Sequence, residues 1–153
     1  MLLKFALWAS AAGALIPVMA VLNARLGEHI DEPLHASFIL FIVGCLCCGA
    51  LALLATGSLP DPSVLTKANP AYLLGGFIVA FYVVSATLVA PRFGVANFIL
   101  FAVVAQITVS VVIDHLGLFG MTSRPIDKWR LTGLAVLSLG LLLTQLSSSQ
   151  RPS

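Results

Sequence analysis

The amino-acid sequence predicts an all-α integral membrane protein with five transmembrane helices. Of its 153 residues, 59% are hydrophobic and only 9% are charged, and the mean hydropathy is +1.06. A soluble domain carries about 25% charged residues, so this composition cannot cover the exterior of a small water-soluble fold. A formal net charge of +2, without a clustered basic face, also argues against a nucleic-acid partner.

Five apolar runs have about the 20 residues that an α-helix needs to cross roughly 30 Å of hydrocarbon. The runs lack the alternating pattern of barrel strands and therefore favour helices. Turn-forming residues and most charges lie between them, and none of these connections is long enough for a soluble domain. The sequence thus predicts a single membrane domain, with spans at about residues 5–21, 34–56, 71–90, 95–116 and 129–146.

The first span carries a stripe of small residues on one helical face. Small residues allow close helix packing in lipid, so we expect this face to contact another helix. Pro17 predicts a kink because its ring faces the carbonyl of Gly13. The kink is consistent with a hinge that lines a cavity and equally with a proline tolerated in a packed bundle. Gly44 in the second span and Gly140 in the fifth are further packing candidates; the stripe itself comprises Ala9, Gly13, Pro17, Ala20, Ala24 and Gly27.

No metal site or cofactor is expected. The cysteines of the second span would have to ionise within hydrocarbon to bind zinc, which is costly, and we interpret them as small buried hydrophobes. The acidic and histidine residues between the first two spans are more typical of a hydrated loop. No nucleophile, base and orienting group occur together, so the sequence gives no sign of an enzyme. The cysteines are Cys45, Cys47 and Cys48, and the acidic and histidine residues are Glu28, His29, Asp31, Glu32 and His35.

The fourth span contains the strongest functional signal. Gln106, Ser110 and Asp114 recur every four residues and form one polar ridge that cannot face lipid. We expect the ridge to bind substrate; the alternative is a hydrogen-bonded seam or dimer contact between helices. The Asp114 carboxylate also lies near the negative, C-terminal end of the helix dipole, where a negative charge is unfavourable. It therefore needs a cationic partner, a water path or an unusual proton affinity. Asn23 and Tyr82 are the remaining candidates for substrate binding.

The positive-inside rule gives a weak orientation preference. One side carries Lys4, Lys67, Arg124, Lys128 and Arg130, and the other carries Arg25, Arg92 and Arg151. This bias favours a cytoplasmic N-terminus but is small enough for some copies to insert the other way. We therefore expect dual topology.

Several segments together resemble the YdcZ-like family, the five-helix branch of the drug/metabolite transporter superfamily. The resemblance covers most of the chain, and the combination is more specific than any of its parts. The matching positions are Gly13, Pro17, Asn23, Leu26, Gly27, residues 33–38, Phe41, Gly44, residues 74–77, residues 91–96, Gln106 and residues 114–120.

The resemblance implies a multi-pass protein of the bacterial inner membrane that transports a small, unidentified solute as a pair of five-helix subunits. An odd number of spans supports such pairing, since joining two copies in tandem gives an inverted repeat of ten helices. We expect an antiparallel homodimer, or a pair with a homologous subunit, acting by alternating access. The alternative is a non-transporting subunit that assembles with or regulates a larger membrane partner. Small multidrug exporters carry an ionisable residue in the first helix, whereas residues 5–22 of this chain contain none. Any proton coupling would therefore involve Asp114 or His115.

Overall fold

Helices predominate in the part of the chain that the structure, a computed structural model, describes. The description covers residues 2–149, without the side chains of residues 2, 65–67 and 147–149. Within that range no β-strand occurs, and five helical segments are long and apolar enough to cross a membrane. The predicted fold class is thereby confirmed. The helices are α1 (Leu2–His29), α2 (Pro33–Thr56), α3 (Pro62–Lys67), α4 (Leu74–Phe93), α5 (Val95–Leu116) and α6 (Lys128–Ser149), with short 3-10 helices at Pro70–Leu73 and Leu118–Gly120.

The helices extend farther than the apolar runs. Helix α1 passes through Pro17 as one helix and continues beyond residue 21 to His29, because polarity marks the membrane edge and does not by itself end a helix. Helix α4 passes through Pro91 to Phe93, and only Gly94, with φ of 93°, separates it from α5. Such a positive φ favours glycine, which lacks the Cβ that would clash.

The chain divides into two compact units, and the first extends to Val95. Helices α1, α2 and α4 pack against each other in this unit, and small residues predominate among those buried at their contacts. Short side chains bring the helix backbones close together, as expected for association in lipid. The buried residues are Ala20, Asn23 and Gly27 on α1, Ala36 and Ser37 on α2, and Val83, Ala86, Thr87 and Ala90 on α4.

Only part of the small-residue stripe is packed within the chain. Ala20 and Gly27 are buried, whereas Ala9 and Gly13 are exposed. Around Gly13, Gly44 and Gly140 no heavy atom of another element lies within 4 Å of the position that a Cβ would take. Packing at these three glycines therefore stays a prediction about contacts outside the single chain.

The prediction of buried cysteines is wrong for the single chain. Cys45, Cys47 and Cys48 are all exposed on α2. The physical reason is that an apolar span in lipid does not need to bury its thiols against protein, since hydrocarbon surrounds a small hydrophobe equally well.

Outside the spans, Asp61 caps the short helix α3. Its carboxylate accepts the backbone N–H of Ser63 at 2.8 Å, and this hydrogen bond lowers the pKa of Asp61 below its ordinary value of 3.8. Because the pKa of Asp61 is lower in the folded protein, its ionised carboxylate stabilises α3 at pH values above 3.8. This contribution is lost as the pH falls through the lowered pKa of the folded protein.

The second unit, which begins at Ala96, contains an antiparallel pair of helices. Asp114 near the end of α5 contacts Arg130 near the start of α6, whereas Asn97 near the start of α5 bonds Gln145 near the end of α6. These contacts at opposite ends require the helices to run in opposite directions.

The connecting loop folds back on the end of α5. The backbone N–H of Arg124 donates to the carbonyl of Asp114 at 2.7 Å, and Ser123 Oγ donates to the carbonyl of His115 at 2.9 Å. The N–H of Ile126 donates to His115 Nδ1 at 3.2 Å. Carbonyls without a partner within the helix are thereby satisfied, as the end of a helix requires.

Replacing Gly27 with leucine should destabilise the packing of α1 on α2. A Cβ at this position would lie 3.1 Å from Pro33 Cα, which is backbone and cannot turn aside, so we expect a loss of about 1 to 3 kcal/mol from overpacking. Thermal unfolding in detergent, followed by circular dichroism, measures the effect. Gly76→Leu is the control in the same unit, where the space is open. Equal unfolding temperatures for the two variants would contradict the assigned packing.

Candidate functional site

The candidate site is an open groove of about 490 Å³ between α5 and α6. Three of the predicted substrate-binding residues, Gln106, Ser110 and Asp114, line it together along one face of α5. Arg130 and Gly133 are opposite on α6, and the rest of the lining is aliphatic. The volume lies within the range of roughly 300 to 1,000 Å³ typical of small-molecule sites. The remaining lining residues are Ile107, Val111, Leu134 and Leu137.

An ion pair lies at one end of this groove. Arg130 Nη1 donates to Asp114 Oδ2 at 3.3 Å, and the two side chains are 34% and 38% exposed. Of the three expectations for Asp114, the structure thus shows the cationic partner. A single, partly exposed contact of this kind contributes about 1 kcal/mol or less, so the pair can open at small cost.

Arg130 is positioned by the first turn of α6. Its backbone N–H donates to Asp127 Oδ1 at 2.7 Å, which is the hydrogen bond of an N-cap. Asp127 therefore fixes the start of the helix from which the guanidinium reaches Asp114. Sequence reasoning counted Arg130 only among loop charges, and its separation of 16 residues from Asp114 gave no local signal of the contact.

The two helices that form the groove stand apart. Between residues 95 and 149, no Cα of α5 comes within 8 Å of a Cα of α6, whereas such approaches occur between α1, α2 and α4. Gln106 and Ser110 are both exposed in the single chain. An exposed amide within a span is costly in hydrocarbon, so this face of α5 requires water, a solute or another helix.

The opposite ends of α5 and α6 are also joined by polar side chains. Gln145 Nε2 donates to Asn97 Oδ1 at 3.1 Å, and the pair is partly buried. Gln145 was missed by sequence reasoning, although an amide near the end of the fifth span was a visible signal. This bond and the Asp114–Arg130 pair hold the two ends of the hairpin, and the groove lies along the intervening helices.

Asn23, another predicted site residue, belongs to a buried polar cluster in the first unit. Its Nδ2 donates to Thr87 Oγ1 at 2.6 Å and to Ser37 Oγ at 3.4 Å. Thr87 Oγ1 in turn donates to the Val83 carbonyl at 2.9 Å. The three side chains are only 2% to 4% exposed. This cluster therefore joins α1, α2 and α4, and substrate binding by Asn23 stays a prediction that would need these helices to separate.

Thr87 was missed by sequence reasoning. It lies 64 residues from Asn23, in an apolar run where one threonine gives no periodic signal. Tyr82, the remaining candidate, is partly buried on α4 and precedes the buried residue Val83. It does not line the α5–α6 groove.

A smaller cavity of about 290 Å³ occurs in the first unit, near the end of α1. Glu28, Asp31 and Arg92 line it together with Thr87. The three charged side chains are exposed at helix ends, and the Thr87 hydroxyl already bonds Asn23 and Val83. The α5–α6 groove, which holds polar groups within a span, is therefore the stronger candidate site.

Comparison with known protein families gives one relevant finding. Residues 4–143 match the family described as "Putative inner membrane exporter, YdcZ". The match covers α1 apart from its first residues, all of α2 to α5, and most of α6. Neither the curated proteins nor the solved structures include a match to this chain.

Replacing Thr87 with valine should weaken the packing of the first unit without changing side-chain shape. The change removes the acceptor of the 2.6 Å bond from Asn23 and leaves a buried amide donor poorly satisfied, which should cost about 1 to 2 kcal/mol. Thermal unfolding in detergent measures this loss.

The matched control is Thr132→Val, because the exposed Thr132 hydroxyl donates to the Lys128 carbonyl of its own helix. If Thr87→Val proves as stable as this control, the Asn23 cluster does not stabilise the contact between α1, α2 and α4.

Proposed function

The chain belongs to the family described as "Putative inner membrane exporter, YdcZ", and from this premise we propose that it moves a small solute across the membrane as a pair of five-helix subunits. In this proposal the α5–α6 groove of each subunit contributes to the solute site. The two subunits rock about that site, so that it opens to one side of the membrane and then to the other.

The observation that supports solute binding is the arrangement of polar groups along the groove. Gln106 supplies an amide, Ser110 a hydroxyl and Asp114 with Arg130 an ion pair, all beside aliphatic side chains. A few polar groups within an apolar groove fix the orientation of a ligand while the apolar wall supplies contact area. Polar and ionisable residues inside a span usually face such a path.

The proposal of a pair is supported by what the single chain leaves exposed. Gln106 and Ser110 are uncovered, so the α5 and α6 walls of one subunit leave the groove open on one side. A second copy in the antiparallel sense would cover that open side and generate an inverted repeat. The weak bias of Lys and Arg between the two sides allows both orientations.

C-terminal reporter fusions should then give signal from both sides of the membrane. Signal from one side only would contradict the antiparallel arrangement of two copies.

Gln106→Leu should reduce transport while folding and assembly persist. Leucine is similar in size and removes donor and acceptor together, so fewer polar atoms remain to be satisfied in hydrocarbon. The measurement uses proteoliposomes loaded with a mixture of small metabolites, and mass spectrometry detects which of them leave. We expect protein-dependent efflux to fall by about tenfold or more, which corresponds to roughly 1.4 kcal/mol. The oligomeric state of the same variant is measured by single-molecule photobleaching.

Thr108→Val is the control, since the exposed Thr108 hydroxyl donates to the Val104 carbonyl of its own helix. A weakened oligomer whose remaining pairs transport normally would make Gln106 an interface residue. If the unaltered protein releases no metabolite, the alternative of a non-transporting subunit is favoured.

A further inference from the structure

We propose that the α5–α6 groove selects zwitterionic amphiphiles, namely solutes that carry an ammonium group and an anionic group at one end of an apolar body. The inference rests on the proposed function of this groove and names the chemical class of its ligand. It depends on the Asp114–Arg130 pair and on the side chains beside that pair.

The charges that line the groove balance each other. Among the lining residues Asp114 carries the one negative charge and Arg130 the one positive charge, so the formal charge of the groove is zero. A solute with a single charge would leave a net charge in a membrane environment, where charges are costly. A zwitterion adds no net charge and presents one group of each sign.

The Asp114–Arg130 pair retains most of its hydrogen-bonding capacity. A carboxylate has about four acceptor sites and a guanidinium has five donors. The contact between them uses only Oδ2 and Nη1, at 3.3 Å. Both side chains are about one third exposed and are therefore accessible. A ligand ammonium can bind Asp114 while a ligand anion binds Arg130, and the weak direct contact is exchanged for two charge-assisted bonds.

The groove also offers an apolar surface to the rest of the ligand. Ile107, Val111, Leu134 and Leu137 continue the groove as an aliphatic surface. Along α5 the distance from Asp114 to Gln106 corresponds to eight residues, or about 12 Å. An apolar chain bound by its charged end at the ion pair would therefore extend along this surface toward Gln106.

The test compares leucine with two analogues of nearly the same shape, leucinamide as the cation and 4-methylpentanoate as the anion. Binding to the full chain is measured in nanodiscs of phosphatidylglycerol, a lipid without an ammonium group. We expect leucine to bind about tenfold or more tightly than either analogue, since each analogue loses one charge-assisted bond.

Two single substitutions should switch this preference in opposite directions. Asp114→Asn leaves Arg130 without its partner, so this variant should prefer 4-methylpentanoate. Arg130→Gln leaves Asp114 without its partner and should prefer leucinamide. A merely structural ion pair would not produce reciprocal switches. Controls are Arg25→Gln and Glu28→Gln, which remove the same charges from an exposed pair at 3.0 Å in the other unit and should leave the preference for leucine unchanged.

A phosphatidylethanolamine head group carries the same two charges on an apolar body. The binding measurement is therefore repeated in nanodiscs that contain this lipid. Competition that removes leucine binding identifies the ligand as an aminophospholipid, whereas unchanged leucine binding identifies it as a free solute. Either result supports selection of a zwitterion.

Three results would overturn the proposal: equal binding of leucine and one analogue by the unaltered protein, no binding of leucine, or parallel loss of all three probes in both variants with helical content unchanged. If Gln106-dependent efflux of other metabolites persists in any of these cases, only the zwitterion proposal fails. If that efflux is also absent, the proposed function fails with it.

Discussion

The structure depends on one constraint, which is that every polar group within a membrane span must find a partner other than lipid. The first unit satisfies it internally, because Asn23, Ser37 and Thr87 bond one another where three helices meet. In the described part of the second unit, side-chain hydrogen bonds between α5 and α6 lie at the two ends, through Asp114 with Arg130 and Asn97 with Gln145. Between those ends the polar face of α5 is open. The same constraint thus produces a packed scaffold in one unit and a candidate binding surface in the other.

Side-chain size determines which unit packs and which stays open. Gly27 and Ala36 let α1 approach α2 closely, so that even a Cβ at Gly27 would crowd Pro33. A short distance between backbones also lets the short side chains of Ser37 and Thr87 meet, at 3.2 Å between their hydroxyl oxygens. Between α5 and α6 the long side chain of Arg130 spans a wider gap to reach Asp114. Close packing and polar bonding are therefore coupled, since small residues determine whether short polar groups can reach each other.

The sequence was sufficient to predict the membrane class, the number of spanning helices and the family, because hydrocarbon imposes long apolar runs that are visible without a structure. It also placed Gln106, Ser110 and Asp114 on one face, since helical periodicity is local. It did not predict that α1 continues to His29, because a helix can leave the membrane without a break in its hydrogen bonds. Arg130 and Thr87 could not be assigned as partners, since contacts across 16 and 64 residues depend on how the helices pack.

The central claim is that the polar face of α5 meets an aqueous solute path. Cysteine accessibility tests it most directly, in a background where Cys45, Cys47 and Cys48 are replaced by alanine, because these three thiols are exposed in the single chain and their removal assigns any modification to the introduced cysteine. Ser110→Cys lies on the groove face, and Val112→Cys lies about 200° around the same helix at nearly the same depth. A small, charged, membrane-impermeant methanethiosulfonate reagent applied to native vesicles should modify the cysteine at 110 and not the one at 112. Failure to modify position 110, or equal modification of both positions, would contradict the account.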